Sequence, residues 1–338
     1  MKAEEGERLL QARQLDLAYA CFMDAERAGE DANRCAAGRW MIDMLRGQFD
    51  RAWKESDSIR QRTATDPDAL WKGEPIDGKR VMLRCLHGFG DSVQFLRYLP
   101  ALRARAAQVT IQVAPRFVDL ARCFAGVEEI ITWGEDEPVS EPRWDVQVEV
   151  MQLPYLFRTT LEDLPLATNY LSVAAGNPAT HISKMRVGLA WSAGEWNPSR
   201  SIPASGFSRL LETEHCEFWN LEGEAEGAEK TVSPALREDL CCRTTLIGLA
   251  KRIAALDVVI TVDSLAAHVA GSIGVPVWVL LQHAADWRWM VERDDSPWYP
   301  TMRLFRQKQT GAWSEVVSEV AKELQQLAAT HAETRVGA

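Results

Sequence analysis

The stretch Asp257–Gly274, DVVITVDSLAAHVAGSIG, reads as a strand, a sharp turn and a helix. Val258–Val262 is an apolar, β-branched run of the kind that a strand buried on both faces needs. Asp263-Ser264 ends it, and the small residues Ala266, Ala267, Ala270 and Gly271 follow on a helical face. A helix starting here leaves the N–H groups of Ser264, Leu265 and Ala266 unpaired at its positive end, where they suit a diphosphate. Asp263, at the strand tip, is placed to accept from sugar hydroxyls. The carboxyl ends of strands are also where open α/β sheets bind ligands. An ordinary capped helix fits the same residues, and His268 inside it fits a packed core histidine as well as a ligand contact.

Outward from this unit the pattern repeats. Val187–Trp191, Glu217–Leu221, Asp257–Val262, Pro276–Leu281 and Met302–Arg306 read as strands, with helices at Gly206–Leu211, Leu246–Ala255, Leu265–Ile273 and Trp313–Leu327. An earlier series has strands at Arg80–Leu86, Val109–Ala114, Glu129–Trp133 and Asp145–Val150, and helices at Asp91–Ala106 and Pro115–Phe124. Strands alternating with helices imply right-handed crossovers and largely parallel sheets. Turn formers mark breaks at 63–79 and 174–184, and the glutamates of 212–229 read as a solvated surface.

The first 65 residues are helical in composition, with no proline before Pro67. Gln14-Leu15-Asp16-Leu17-Ala18-Tyr19 aligns with Gln48-Phe49-Asp50-Arg51-Ala52-Trp53 at an offset of 34 residues, the tetratricopeptide period. Two copies are fewer than the three that a free-standing array needs, so this arm is expected to lean on the next domain.

Further features complete the candidate chemistry. His87-Gly88-Phe89-Gly90-Asp91-Ser92 follows a strand and opens a helix. It lacks the third glycine of the dinucleotide fingerprint and the Gly-Lys-Ser/Thr of a P-loop. Asp91 reads either as a helix N-cap or as a ligand-facing carboxylate. Val187–Gly194 runs a strand ending in Trp191 into a small-residue loop, and Arg200 beyond it suits a phosphate or a surface salt bridge. The stretch Asp286-Trp287-Arg288-Trp289 to Ser296-Pro297-Trp298-Tyr299-Pro300 holds three of the 13 tryptophans and reads as core or as the wall of a nucleotide site.

Composition excludes several classes. With 38 basic and 48 acidic residues the net charge is −10, against a phosphate-neutralising nucleic-acid binder. Seven cysteines without a CxxC pair argue against a disulfide frame or zinc ribbon and for a reducing compartment. No metal-ligand spacing occurs, and Asp-x-Asp appears only as Asp66-Pro67-Asp68. Met1–Arg8 is charged where a secretory signal is apolar, and no apolar run is long enough to span a bilayer, so a cytoplasmic location is expected.

Gly88–Tyr98, Arg200–Pro203, Ile260–Gly271 and Asp286–Gln307 together resemble bacterial glycosyltransferases of the ADP-heptose:lipopolysaccharide heptosyltransferase superfamily, in its branch with an N-terminal tetratricopeptide segment. The resemblance covers about residues 71–325. It implies an α/β GT-B fold: two Rossmann-like domains facing across a cleft, after an all-α tetratricopeptide-like segment. The boundaries expected are 1–65 for that segment, 66–79 for a linker, 80–176 for the acceptor domain and 185–330 for the nucleotide-sugar domain.

The resemblance also implies inverting, metal-independent transfer with no cofactor beyond the nucleotide-sugar donor. Asp91 matches the general base. Gly88, Gly90 and Gln94 belong to the acceptor-side loop. Arg200, Asp263, Ser264, Leu265, Ala266, His268 and Trp191 fall on the donor side, with Trp287 and Arg288 as a wall. Leu86-His87 stands where relatives often carry Glu-Gln, and Ser264 where Thr is usual. The acceptor expected is a glycan or a protein, such as flagellin or another surface polypeptide, brought in by residues 1–65. A catalytically inactive tetratricopeptide/GT-B scaffold, or a nucleotide-sugar-binding protein, is the alternative. An epimerase would need a second carboxylate flanking the sugar.

Overall fold

The computed structural model describes residues 1–63, 70–133, 144–165, 169–176, 184–194, 197–223, 234–238 and 244–336. Asp66-Pro67-Asp68, most of the break expected at 174–184, part of the glutamate-rich stretch and Cys241-Cys242 fall outside them.

The arm is four helices in two hairpins: α1 (Lys2–Gln11) with α2 (Leu15–Arg27), and α3 (Ala32–Leu45) with α4 (Phe49–Arg62). The 34-residue offset seen in the sequence is also present in the backbone. Gln14 and Gln48 both precede a helix, at φ/ψ of −86°/66° and −88°/60°. Arg13 and Gly47 both take positive φ to close the turn, 59° and 71°. Leu9 O accepts from Gln14 N–H just as Asp43 O accepts from Gln48 N–H. Glycine takes this left-handed backbone without strain, whereas arginine does so at a cost. Ala18 and Ala52, one repeat apart, are fully buried where the helices touch.

The first sheet has β1 (Arg80–Arg84), β2 (Gln108–Val113), β3 (Glu129–Thr132) and β4 (Val146–Glu149), all parallel, in the order β3-β2-β1-β4. Around it lie α5 (Phe89–Phe95), α6 (Leu99–Arg103), α7 (Val118–Ala121) and α8 (Leu153–Leu156). The single helix expected over Asp91–Ala106 is instead α5, a 3₁₀ turn at Leu96–Tyr98 and α6. Pro100 is the cause, because it has no N–H to give to the carbonyl a turn earlier and its ring crowds that carbonyl.

The second sheet has β5 (Met185–Ala190), β6 (Cys216–Asn220), β7 (Leu236–Arg237), β8 (Val258–Val262), β9 (Val277–Leu281), β10 (Asp295–Ser296) and β11 (Tyr299–Arg306). Its order is β10-β11-β9-β8-β5-β6-β7, and only the β10–β11 pair is antiparallel. Helices α9 (Ser208–Leu211), α10 (Leu246–Ile253), α11 (Leu265–Ile273) and α12 (Trp313–Val336) accompany it. Every residue of β6, β8 and β9 is buried, which is why β8 and β9 read as apolar runs, whereas β6 buries Glu217 and Asn220 along with its apolar residues. The two-residue strands β7 and β10 are too short to leave a pattern in the sequence.

One hydrophobic core runs continuously from the arm through the first sheet to one face of the second. A separate core on the other face of the second sheet joins Val258, Ile260 and Phe305 to Val316, Val320 and Leu324 of α12. The arm does lean on its neighbours. Trp53 Nε1 donates to Thr159 O at 2.7 Å, and Asp57 takes hydrogen bonds from Tyr155 and Arg158. Among the described residues no helix is long and apolar enough to cross a membrane.

Phe22 of α2 is the plug of the arm. It is fully buried, and a methyl group on Gly6 or Gly38 would come within 2.9 or 2.3 Å of its ring. Phe22→Ala is expected to cost the arm about 3–5 kcal/mol, read as earlier denaturant unfolding of the helical signal.

Candidate active site

The tip of β1 leads through His87 into Gly88, which caps α5 in an extended conformation. Asp91 sits three residues into the helix, not at the cap position itself. Its Oδ2 reaches back to accept the Gly88 N–H at 3.1 Å. Gly90 allows the two halves of the molecule to meet, because a Cβ there would lie 2.9 Å from His268 Cδ2 on α11. α5 therefore packs directly on α11.

Across this contact Arg288 reaches Asp91. Its Nη2 donates to Asp91 Oδ1, Nη1 to Asp286 Oδ1 at 2.8 Å and Nε to Gln94 Oε1 at 2.8 Å. The guanidinium lies over the rings of Phe95 and Trp287, 5.4 and 4.9 Å from their centroids. Arg288 has only 9% of its side chain exposed, whereas Asp91 keeps 25% open to the cavity. A charge this buried is tolerable only because each edge of its fork has an acceptor.

At the tip of β8, Asp263 is buried beside Arg200, whose Nη1 lies 3.5 Å from its Oδ2 and donates to its backbone oxygen at 3.2 Å. Arg200 is itself buried, which removes the surface salt bridge as its role. Burial, and next the charge of Asp286, push the Asp263 carboxyl above the ordinary range, with Arg200 opposing. His268 is driven well below its usual value, first by burial and then by Arg288, Arg97 and Arg200, so its imidazole is neutral. Its Nδ1 lies 3.0 Å from Tyr299 Oη, and its ring stacks on Trp289.

Gly88, Gly90, Asp91, Arg200, Asp263 and His268 line one cavity of about 420 Å³, together with Ser264, Leu265, Trp287 and Arg288. Ser264, Leu265 and Ala266, the start of α11, also border a second cavity of about 290 Å³, shared with Ser192, Gly194 and Glu222. A third, of about 700 Å³, shares Met41, Arg200, Asp286 and Trp287 with the first and runs between the arm and the second sheet.

Two expected contacts fall elsewhere. Gln94 is fully buried and holds Arg288, so its side chain is not on the open acceptor side. The Trp191 ring packs against Phe207 in the outer core of the second sheet, and its backbone N–H goes to Glu222. In the tryptophan-rich stretch, Trp289, Trp298 and Tyr299 are fully buried, so packing accounts for these three.

Three carboxylates were not expected. Glu222 accepts the backbone N–H groups of Trp191 and Ser192 at 2.5 and 2.8 Å, and the Ser192 hydroxyl. Burial raises its pKa in spite of these bonds. Glu149 accepts the Met151 N–H at 2.7 Å and lies 3.9 Å from His87 Nε2. Burial raises it too, offset by Met151 and His87, with Asp91 adding to the rise. Asp286 shares Arg288 with Asp91. The available signal for Glu149 and Glu222 was position: each stands at or just beyond the carboxyl end of a strand, where parallel sheets place ligands. Among the described residues no group of three or more His, Cys, Asp or Glu is arranged to hold a metal ion.

With this geometry in place, the profile of glycosyltransferase family 9 (heptosyltransferase) matches residues 141–330. The chain belongs to that family. The match includes Arg200, Glu222 and Asp263 and begins after Asp91. A family 9 glycosyltransferase from Veillonella parvula superposes with a TM-score of 0.50 at 14% identity, over 77% of this chain and 99% of that one. The ADP-heptose lipopolysaccharide heptosyltransferase II of Escherichia coli gives 0.53 at 16% identity, over 73% and 99%. At these identities the likeness is one of fold, and the mixed α/β architecture with parallel sheets matches that of GT-B glycosyltransferases. Protein FlbA of Caulobacter vibrioides is 25% identical over 346 residues, which cover 89% of this chain and 56% of that protein. The chain thus spans about half the length of that curated relative.

Because Glu149 is raised by burial, the folded protein keeps a proton that the unfolded chain has released above its ordinary value of 4.5. The contribution of this group to stability therefore falls as pH climbs from that value. Glu149→Gln is expected to gain melting temperature relative to wild type between about pH 4.5 and 7, measured by thermal unfolding across that range.

Proposed function

We propose that the protein transfers a sugar from a nucleotide-sugar to a hydroxyl acceptor, with inversion and without a metal. The observation that carries this reading is that Asp91 from one sheet and the Asp263, Arg200 and α11 start from the other line a single cavity. In this scheme residues 80–176 form the acceptor half, 185–330 the donor half, 66–79 the link and 1–65 a tetratricopeptide-like arm.

The nucleoside of the donor fits the cavity beside Ser192, Glu222 and Ala266. Its diphosphate meets the free N–H groups at the start of α11. The sugar extends toward Asp263, and Asp91 faces the acceptor. As the acceptor oxygen attacks the anomeric carbon, its proton passes to Asp91 and the bond from that carbon to the diphosphate oxygen breaks. The departing diphosphate gathers negative charge, which the helix dipole and Arg200 offset. Direct displacement of this kind inverts the anomeric centre.

The acceptor enters along the third cavity, whose walls include Leu10, Gln11, Arg13 and Met41 of the arm. That route supports a protein acceptor, such as flagellin or another surface polypeptide, held by the arm while one hydroxyl reaches Asp91. The location proposed is the cytoplasm, in keeping with the free thiols of Cys21, Cys35, Cys85, Cys123 and Cys216.

A thermal-shift panel of UDP, GDP, ADP and CMP, free and sugar-linked, tests the donor site. One of them should stabilise the protein, by about 2.7 kcal/mol at 100 times its dissociation constant. Silence across the panel would remove the donor site. Asp91→Asn is expected to keep that stabilisation while losing about 10²- to 10⁴-fold in turnover. Equal turnover by both proteins would remove Asp91 as the base.

A further inference from the structure

The loop that carries Arg288 is tied at both ends to the arm. Arg13 donates to Ala285 O, and Leu45 O accepts the Val291 N–H at 2.9 Å. Between these ties Met290 has φ 52°, and Glu292 just beyond them φ 57°, positive values that non-glycine residues keep only where their surroundings impose them. Trp40 of α3 meets Trp287 edge-on, with ring centroids 5.7 Å apart and planes at 72°. Trp287 in turn lies nearly parallel to Phe95, 6.4 Å away, on the same helix as Asp91. Phe49 of the arm stacks on Trp298, whose ring meets both Phe95 and Trp287. An unbroken chain of aromatic contacts thus joins the arm to the helix of the base and flanks the guanidinium that grips it.

We propose that the arm is part of the catalytic apparatus: Trp40 and Arg288 are positioning residues that set the Asp91 carboxylate for proton transfer. Gly88 N–H holds one carboxylate oxygen and Arg288 the other, so the rotamer is fixed from two sides while a quarter of the side chain stays open to the cavity. A base displaced by about 1 Å loses on the order of 10²-fold in rate, so a loop that slackens should cost turnover. Arg288 carries the contact of that loop with Asp91, and the arm contacts the loop at Ala285, Trp287 and Val291. The catalytic part of this inference rests on the transferase reading, whereas the mechanical part does not.

Two measurements on the full chain separate them. The first is a double-mutant cycle of Trp40→Ala and Asp91→Asn, read by thermal unfolding without ligand. No hydrogen bond, ion pair or ring contact joins the two side chains among the described residues, so unlinked sites should give additive shifts. If the arm holds Arg288 on Asp91, the shift caused by Asp91→Asn falls to about half or less in the Trp40→Ala background, and Trp40→Phe restores it. Additive shifts overturn the proposal. If Trp40→Ala does not fold, Trp40→Leu replaces it in the same cycle.

The second measurement is hydrolysis, with no acceptor present, of the sugar-linked nucleotide that stabilises the protein in the thermal-shift panel. Trp40→Ala should lower kcat about 10-fold with KM within about twofold, and Trp40→Phe should recover most of it. An arm that only recruits acceptor would leave hydrolysis untouched, and that result also overturns the proposal. Wild-type protein without any donor hydrolysis or binding would count against the transferase reading, while non-additivity in the cycle would still stand.

Discussion

A guanidinium taken out of water must find a partner for every edge of its fork, and at Arg288 those partners come from both sides of the molecule. Asp286 lies on its own loop, while Asp91 and Gln94 lie on α5 beside the first sheet. Removing either side would strand a buried charge, at a cost of several kcal/mol. The arrangement therefore favours the state in which the two sheets are closed on each other, with Asp91 next to the start of α11. Arg97 repeats the logic a turn later. Fully enclosed, it donates to Gln94 O, Trp298 O and Tyr170 Oη, and lies over the rings of Tyr170, Trp298 and Tyr299.

Burial first, and then these two cations with Arg200, explain the state of His268. A histidine enclosed among Arg288, Arg97 and Arg200 cannot accept a further positive charge, so it remains a neutral ring, next to Tyr299 and stacked on Trp289. It borders the cavity as a hydrogen-bonding and packing surface and, being neutral, is not an imidazolium acid. Gly90 allows it to come so close, since any side chain there would collide with the imidazole. The seam between the sheets is thus set by one glycine, one neutral histidine and two buried arginines.

Much of the fold was legible because it is written in short-range patterns. α11 spans Leu265–Ile273, the stretch that carries its small-residue face, and the apolar runs became the buried strands β8 and β9. The arm's turns recur 34 residues apart because the same local closure is built twice. Where local pattern and structure part, a specific residue is responsible. Pro100 splits a helix that periodicity alone would continue. Gln94 and Trp191, polar or aromatic and close to a motif, looked like site residues, yet Gln94 serves another side chain and Trp191 fills a core. Glu222 was hidden among glutamates that read as solvated, and only the neighbouring strand reveals what it holds.

Sequence alone established which stretches become strands and helices, where the glycine-rich turns fall and which carboxylates stand at strand tips, because each depends on residues within a few positions of one another. Tertiary structure decided what those carboxylates face. Asp91 and Arg288 are 197 residues apart, and Arg200 and Asp263 are 63 apart. A charge pair of that separation leaves no periodic trace. It exists only once the cores have packed and water has been excluded, when a buried ion must be matched by whatever the fold brings alongside it.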